Sequence, residues 1–155
     1  MKKNLCLSLV LILCVLSLCS CGADKKAETE YEHKCTFLIE CKSVLDNMES
    51  LNKEKAGIIP ENGIILEETD VGFNENDTVY DVLIRILKEN KIQFDADESA
   101  YIKGINNLYS GDCGEYSGWL FYVNGESATV GADSLKLSEN DEVHWKFTCD
   151  YMSEF

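Results

Sequence analysis

Three scarcities bound what this chain can be. One proline and ten glycines in 155 residues exclude a proline-rich or glycine-rich low-complexity chain. Basic residues are few, 14 against 28 acidic, for a formal net charge of −14. Nucleic acid and anionic lipid surfaces are bound through cationic patches, so neither is expected as a partner held by charge. An acidic balance suits a solvated exported domain, or one that attracts cations. Histidine is limited to His33 and His144, the first at the edge of a polar stretch and the second on the polar face of an expected strand. No Ser-His-Asp order, nucleophile elbow, phosphate loop or zinc-protease motif is present. Gly111, Gly114 and Gly118 are spaced unlike a dinucleotide fingerprint, and no helix follows them. Asn74, Asn76, Thr78 and Asp81 have calcium-ligand side chains but read better as helix caps. The chain is therefore expected to be no enzyme and to hold no cofactor or metal.

Long hydrophobic runs are also missing. The apolar stretch from Leu5 to Leu18 has the length of a signal-peptide core and falls short of the ~20 residues that span a bilayer. Lys2 and Lys3 precede it, and it ends in Leu18, Cys19, Ser20 and Cys21. An apolar residue three before a cysteine, followed by two small residues, resembles the lipobox of bacterial lipoproteins. That resemblance implies export, diacylglycerol on Cys21 and cleavage just before it. Cys19 is the weaker acceptor, because bulky Leu18 precedes it. Residues 1–20 are thus read as a signal peptide. Residues 21–33 are read as a lipidated Cys21 and a flexible tether, since GADKKAETEYE can build no core. The remainder, 34–155, is read as one domain at the cell membrane, lipid-anchored and facing the extracytoplasmic side.

Within that domain Cys35, Phe37, Ile39 and Cys41 alternate with Thr36, Leu38 and Glu40, the pattern of a half-buried strand. A helical turn over Ser43 to Leu51 and a turn at Pro60 to Gly63 follow. Ile64 to Leu66 and Val71 to Phe73 form a second strand, possible to read as interrupted. Val79, Val82, Leu83, Ile86 and Leu87 lie on one stripe of a helix over Val79 to Asn90, opened by a capping box of Thr78 and Asp81. Three strands come next, Tyr101 to Leu108, Gly118 to Val123 and Glu142 to Cys149. The turn at Asn124 and Gly125 tolerates positive φ. One main helix on one face of a small mixed sheet is an α+β arrangement of the β-grasp, ubiquitin-like kind.

The segments YIKGINNL (101–108), SGWLFYVNG (117–125), GADSLKL (131–137) and NDEVHWKFT (140–148), with TVYDVL opening the helix at Thr78, resemble the C-terminal β-domain of transcobalamin and intrinsic factor. The likeness is nearest to bacterial surface domains of unknown function with the same fold, and it covers roughly residues 35 to 150. It implies a β-grasp fold and, by the animal carriers, one wall of a cobalamin site. A helical barrel forms the other wall in those carriers, and no such barrel is readable here.

Four cysteines remain beyond Cys21: Cys35, Cys41, Cys113 and Cys149. An even number in a small exported domain reads as two disulfides of open connectivity. Cys35 and Cys41, roughly 20 Å apart along an extended strand, cannot pair with each other unless the strand breaks. No Cys-x-x-Cys or Cys/His spacing favours zinc instead. Tyr109, Tyr116, Trp119, Tyr122 and Asn124 are the candidate ligand-binding residues, because aromatics around the loop Ser110 to Ser117 offer contact surface. The expected function is a non-catalytic surface binding module for cobalamin or a related corrinoid. The alternative is an adhesion or interaction module that binds a surface protein or glycan.

Overall fold

The computed structural model describes residues 30–154. The signal peptide over 1–20, the lipidation of Cys21 and most of the tether lie outside the described residues. The folded part begins slightly earlier than expected. Strand β1 spans His33–Glu40. Ahead of it Tyr31 lies on Gly72, with the Arg85 guanidinium 4.2 Å from its ring centroid.

In β1 the period-2 pattern does what it dictates: Cys35, Phe37 and Ile39 are buried, with Cys41 just beyond. A short helix α1 (Lys42–Leu45) and a 3₁₀ turn (Lys53–Ile58) lead to Gly63. This glycine is obligatory, since its φ is +70° and a Cβ would lie 2.7 Å from the Lys42 backbone. Strand β2 (Ile64–Phe73) then runs antiparallel to β1. It stays extended from end to end, but its register on β1 shifts between the pairs Phe37–Thr69 and Ile39–Leu66, an irregularity at Glu67 and Glu68 where the sequence pattern breaks. An edge strand needs only its backbone to pair with β1, and exposed acidic side chains on such a strand discourage further pairing.

Helix α2 (Val79–Glu89) buries its expected stripe, with Val79, Val82, Leu83, Ile86 and Leu87 each at most 3% exposed. Thr78 Oγ1 accepts from the Asp81 amide, and the Asp81 carboxylate accepts from the Thr78 amide. The helix ends at Asn90, after which Lys91 takes a φ of 56° and the Ile92 amide returns to the Leu87 carbonyl.

The next segment departs from expectation. Tyr101 to Leu108 is not one strand. It divides into β4 (Ile102–Ile105) and β5 (Leu108–Tyr109), which pair with β3 (Phe94–Ala96) in a separate three-stranded sheet. Asn106 and Asn107, with φ of 52° and 61°, make the turn between β4 and β5. Asparagine tolerates this left-handed region well enough to close a two-residue hairpin.

Strand β6 (Gly118–Val123) turns at Asn124 and Gly125, φ 55° and 80°, into the short β7 (Glu126–Ser127). Strand β8 (Glu142–Thr148) pairs antiparallel with β6 and parallel with β1. The main sheet therefore has the order β2-β1-β8-β6-β7. Phe37, Ile39, Val143, Trp145 and Phe147 from its inner face share one core with the stripe of α2 and with Ile102, Ile105 and Leu108 of the small sheet. The architecture is α+β.

The two-disulfide framework is corrected. Cys113 and Cys149 are bonded, with a Cα separation of 5.2 Å, whereas Cys35 and Cys41 are buried free thiols. Cys35 occupies an inward position of β1 and Cys41 the residue just after it, and both serve as small core side chains. Burial, then the negative charge of Asp141, pushes the Cys35 thiol up to about 12. Burial, then Glu40, pushes Cys41 up to about 11.

Candidate functional site

The cross-strand pairs of β6 and β8 set Phe121 against Trp145 and Trp119 against Phe147 on the inner face. Phe121 and Trp145 stack with centroids 4.9 Å apart, and Trp119 meets Phe147 edge-on at 5.3 Å. Beside them opens a cavity of about 350 Å³. Trp119, Phe121 and Trp145 line its strand side, and Tyr101, Val130 and Ala132 line its loop side. Tyr101 and Val130 are about half exposed, at 53% and 50%. Asp133 is the one charged residue of the lining.

Both loops are held by local hydrogen bonds. The Asp97 carboxylate accepts from the Ser99 amide, the Ser99 hydroxyl and the Tyr101 amide. The Ser99 hydroxyl leads in holding Asp97 below the usual carboxylate range. On the other side the amides of Val79 and Tyr80 donate to the carbonyls of Leu135 and Ala132. Those amides are orphan donors of a helix N-terminus, so the cavity's loop is fixed to α2 by groups the helix cannot itself satisfy.

The two tryptophans differ in their indole N–H groups. Trp119 Nε1 donates to the Leu108 carbonyl at 2.9 Å. Trp145 Nε1 is buried and has no partner. A buried donor left unpaired costs about 1–3 kcal/mol.

A second hollow of about 360 Å³ lies on the outer face of the sheet. Glu40, with a side chain only 8% exposed, sits 2.7 Å from Lys42 Nζ and 3.1 Å from His144 Nε2. Lys146 Nζ contacts Glu154 at 2.9 Å, and the Tyr122 hydroxyl donates to the same carboxylate at 3.0 Å. Burial would raise the Glu154 carboxyl, but Lys146, Tyr122 and Thr148 hold it below the ordinary range. Burial, then Glu154, raises the Tyr122 phenol. This face is polar and internally paired. Among the described residues no cluster of three or more His, Cys, Asp or Glu side chains could hold a metal ion.

The expected ligand residues do not converge. Trp119 faces the cavity, whereas Tyr122 faces the outer hollow. Tyr109 packs over Gly104, where a Cβ would approach its ring to 2.7 Å, and beneath the Lys55 ammonium at 4.8 Å. Tyr116 is exposed and meets Tyr151 edge-on at 5.7 Å. Asn124 is structural: its side chain donates to Asp141 and accepts from the Glu142 amide. Parity is the reason Trp119 and Tyr122 separate, since residues three apart on a strand point to opposite faces. The same parity joins Trp119 to Phe121, a cavity residue that sequence reasoning passed over. Tyr101 and Gly131 to Asp133 lie in segments that carry the resemblance, yet were not singled out as ligand residues.

Residues 76–149 match the family described as a domain of unknown function, DUF4430. No curated protein matches the sequence. Among solved structures, a haptocorrin in complex with Cbi is similar at 13% identity and a TM-score of 0.50, over 75% of this chain and 25% of the haptocorrin. The chain thus corresponds to about a quarter of that protein's length. A protein from Ruminococcus gnavus, provisionally described as metal binding, is similar at 16% identity and a TM-score of 0.42, over 76% of this chain and 97% of that one. Among the described residues no helix is long and apolar enough to cross a membrane.

Proposed function

We propose that this chain is a non-catalytic binding module, held outside the cell by lipid on Cys21, whose aromatic cavity takes part of a large, apolar-faced small molecule such as cobalamin or a related corrinoid. The observation that carries the reading is the cavity itself. A volume of about 350 Å³, aromatic walls and a single charged residue are the properties of a small-molecule site. A flat patch would instead favour a macromolecular partner.

The β-grasp assignment belongs to the same reading. Its support is the hairpin, helix and return order, with the first and last strands parallel and adjacent at the sheet's centre. The likeness to haptocorrin concerns the fold, and the Cbi of that complex is what brings a corrinoid forward as ligand here. A cavity of this size encloses only part of so large a ligand, so a partner surface completes the site.

Calorimetry of the purified chain with cobalamin tests the reading, with tryptophan fluorescence as a second signal because Trp119 and Trp145 are the only two tryptophans and both line the cavity. Saturable heat with a change in emission is expected. Absence of both up to millimolar cobalamin overturns the corrinoid assignment.

A further inference from the structure

The lining of the aromatic cavity carries charge of one sign. No lysine, arginine or histidine lines it, and Asp133 is its one charged residue. Other acidic side chains of the fold have cations beside them: Glu40 has Lys42, Asp112 has Lys55 and Glu154 has Lys146. Asp133 makes no such ion pair among the described residues. Its Oδ1 accepts from the Ser134 hydroxyl at 3.3 Å. The same oxygen lies 2.6 Å from where a Gly131 Cβ would stand. Gly131 also lines the cavity, so its lack of a side chain leaves the carboxylate room against the cavity wall.

Tyr101 is the aromatic counterpart. Tyr31 and Tyr109 each carry one of the chain's own cations over the ring, Arg85 at 4.2 Å and Lys55 at 4.8 Å. Tyr101, 53% exposed on the loop side of the cavity, carries none among the described residues. Its backbone is held in place, for its amide donates to the Asp97 carboxylate and Ala100 before it has a φ of 60°. The face of a tyrosine ring has negative potential and attracts cations.

Resting on the reading of this cavity as a small-molecule site, we infer that its ligand carries an ammonium-type cation at one end of an apolar body, and that the Asp133 carboxylate and the Tyr101 ring receive the cation at the rim. The apolar body follows from the stacked rings of Phe121 and Trp145, which offer only apolar surface and ring edges. An anionic end is disfavoured, because the lining has no cation to pair with it and the chain carries −14 in all. A neutral end forgoes the attraction of both groups.

The test uses the full ¹⁵N-labelled chain, kept in solution with a nonionic amphipol, and three probes built on one ring. Benzylammonium carries a cation, benzyl alcohol a neutral hydroxyl and benzoate an anion. Binding is read from the backbone amide resonances of Tyr101 and Asp133 and, independently, from tryptophan emission. Benzylammonium is expected to bind about tenfold more tightly than benzoate. D133N should lower benzylammonium affinity about threefold and leave benzyl alcohol unchanged. Y101L should likewise narrow the preference for benzylammonium over benzyl alcohol, and retained benzyl alcohol binding reports that each variant is folded. Benzoate binding as tightly as benzylammonium overturns the inference and leaves the cavity reading standing. A preference for benzylammonium that survives D133N undiminished belongs to the overall charge of the chain and also overturns the inference. If none of the three probes moves the two amides or the emission, the cavity is no ligand site and both readings fall together.

Discussion

At the scale of single residues, the cysteines separate what spacing can tell from what it cannot. Spacing along a strand excludes a Cys35–Cys41 bond, and β1 is indeed unbroken there. It could not say that both side chains are core packing and not cross-links. Peptide mapping of the exported protein without reductant should recover Cys113 linked to Cys149, with Cys35 and Cys41 alkylated only after denaturation. Alkylation of either in the native protein would contradict their burial. The raised thiols also set a pH dependence. In the unfolded chain they titrate near 9, and in the folded chain near 12 for Cys35 and 11 for Cys41. The folded state therefore holds these protons more tightly, and the stability they contribute is complete below pH 9 and is lost as pH rises toward 11 and 12. The melting temperature should fall over that range, and a Cys35→Ala variant should show a shallower fall. An unchanged slope would mean that Cys35 is not the group responsible. The disulfide closes a loop of 36 residues, worth about 3–4 kcal/mol by the chain-entropy estimate. Cys113→Ser should lower unfolding free energy by roughly that amount in a denaturant titration.

At the scale of elements, legibility followed periodicity. Helix α2 and strand β8 were readable because five apolar residues at helical spacing and three at alternate positions admit little else. Thr78 and Asp81 fixed where α2 begins, and their reciprocal bonds are both formed. Thr78→Ala should destabilise the protein by about 1 kcal/mol, read as a shift of the urea midpoint at unchanged slope. No measurable shift would mean that the loop carbonyls of Ala132 and Leu135 alone hold the helix start. Short elements were not legible in the same way. Phe94–Ala96 is three residues long and offers no period to detect. The split between β4 and β5 rests on Asn106 and Asn107, whose left-handed backbone shows in sequence only as two turn-tolerant residues inside an apolar run.

At the scale of the whole molecule, the expectation of an anchored, tethered domain concerns residues outside the described ones, and its test is cellular. Cys21→Ser removes the thiol expected to carry diacylglycerol while keeping Lys2, Lys3 and the apolar stretch that direct export. The variant should still leave the cytoplasm, incorporate no labelled fatty acid, and either retain its signal peptide or be released as soluble protein. Incorporation of the label would move the assignment to Cys19. Retention in the cytoplasm would show that export and anchoring are not separable. The folded domain should be indifferent to the change, because the contacts described for it involve Tyr31, His33 and later residues, ten or more positions further along the chain.

Local pattern alone determined the strongly periodic elements, the capping of the main helix, the turn at Asn124 and Gly125, and the α+β class that follows from one helix among several strands. These depend on residues close in sequence, whose side-chain spacing sets the face they present. Tertiary structure alone decided which aromatics meet. Trp119 and Tyr122 are neighbours in sequence yet lie on opposite faces of the sheet. Phe121 and Trp145 are far apart in sequence yet stack, because β6 and β8 are adjacent in register. It also decided that Cys113 reaches Cys149 and that the Trp145 indole is left without a partner. Those outcomes depend on strand order and register, which bring distant segments together through packing of a shared core and leave no mark in the spacing of either segment.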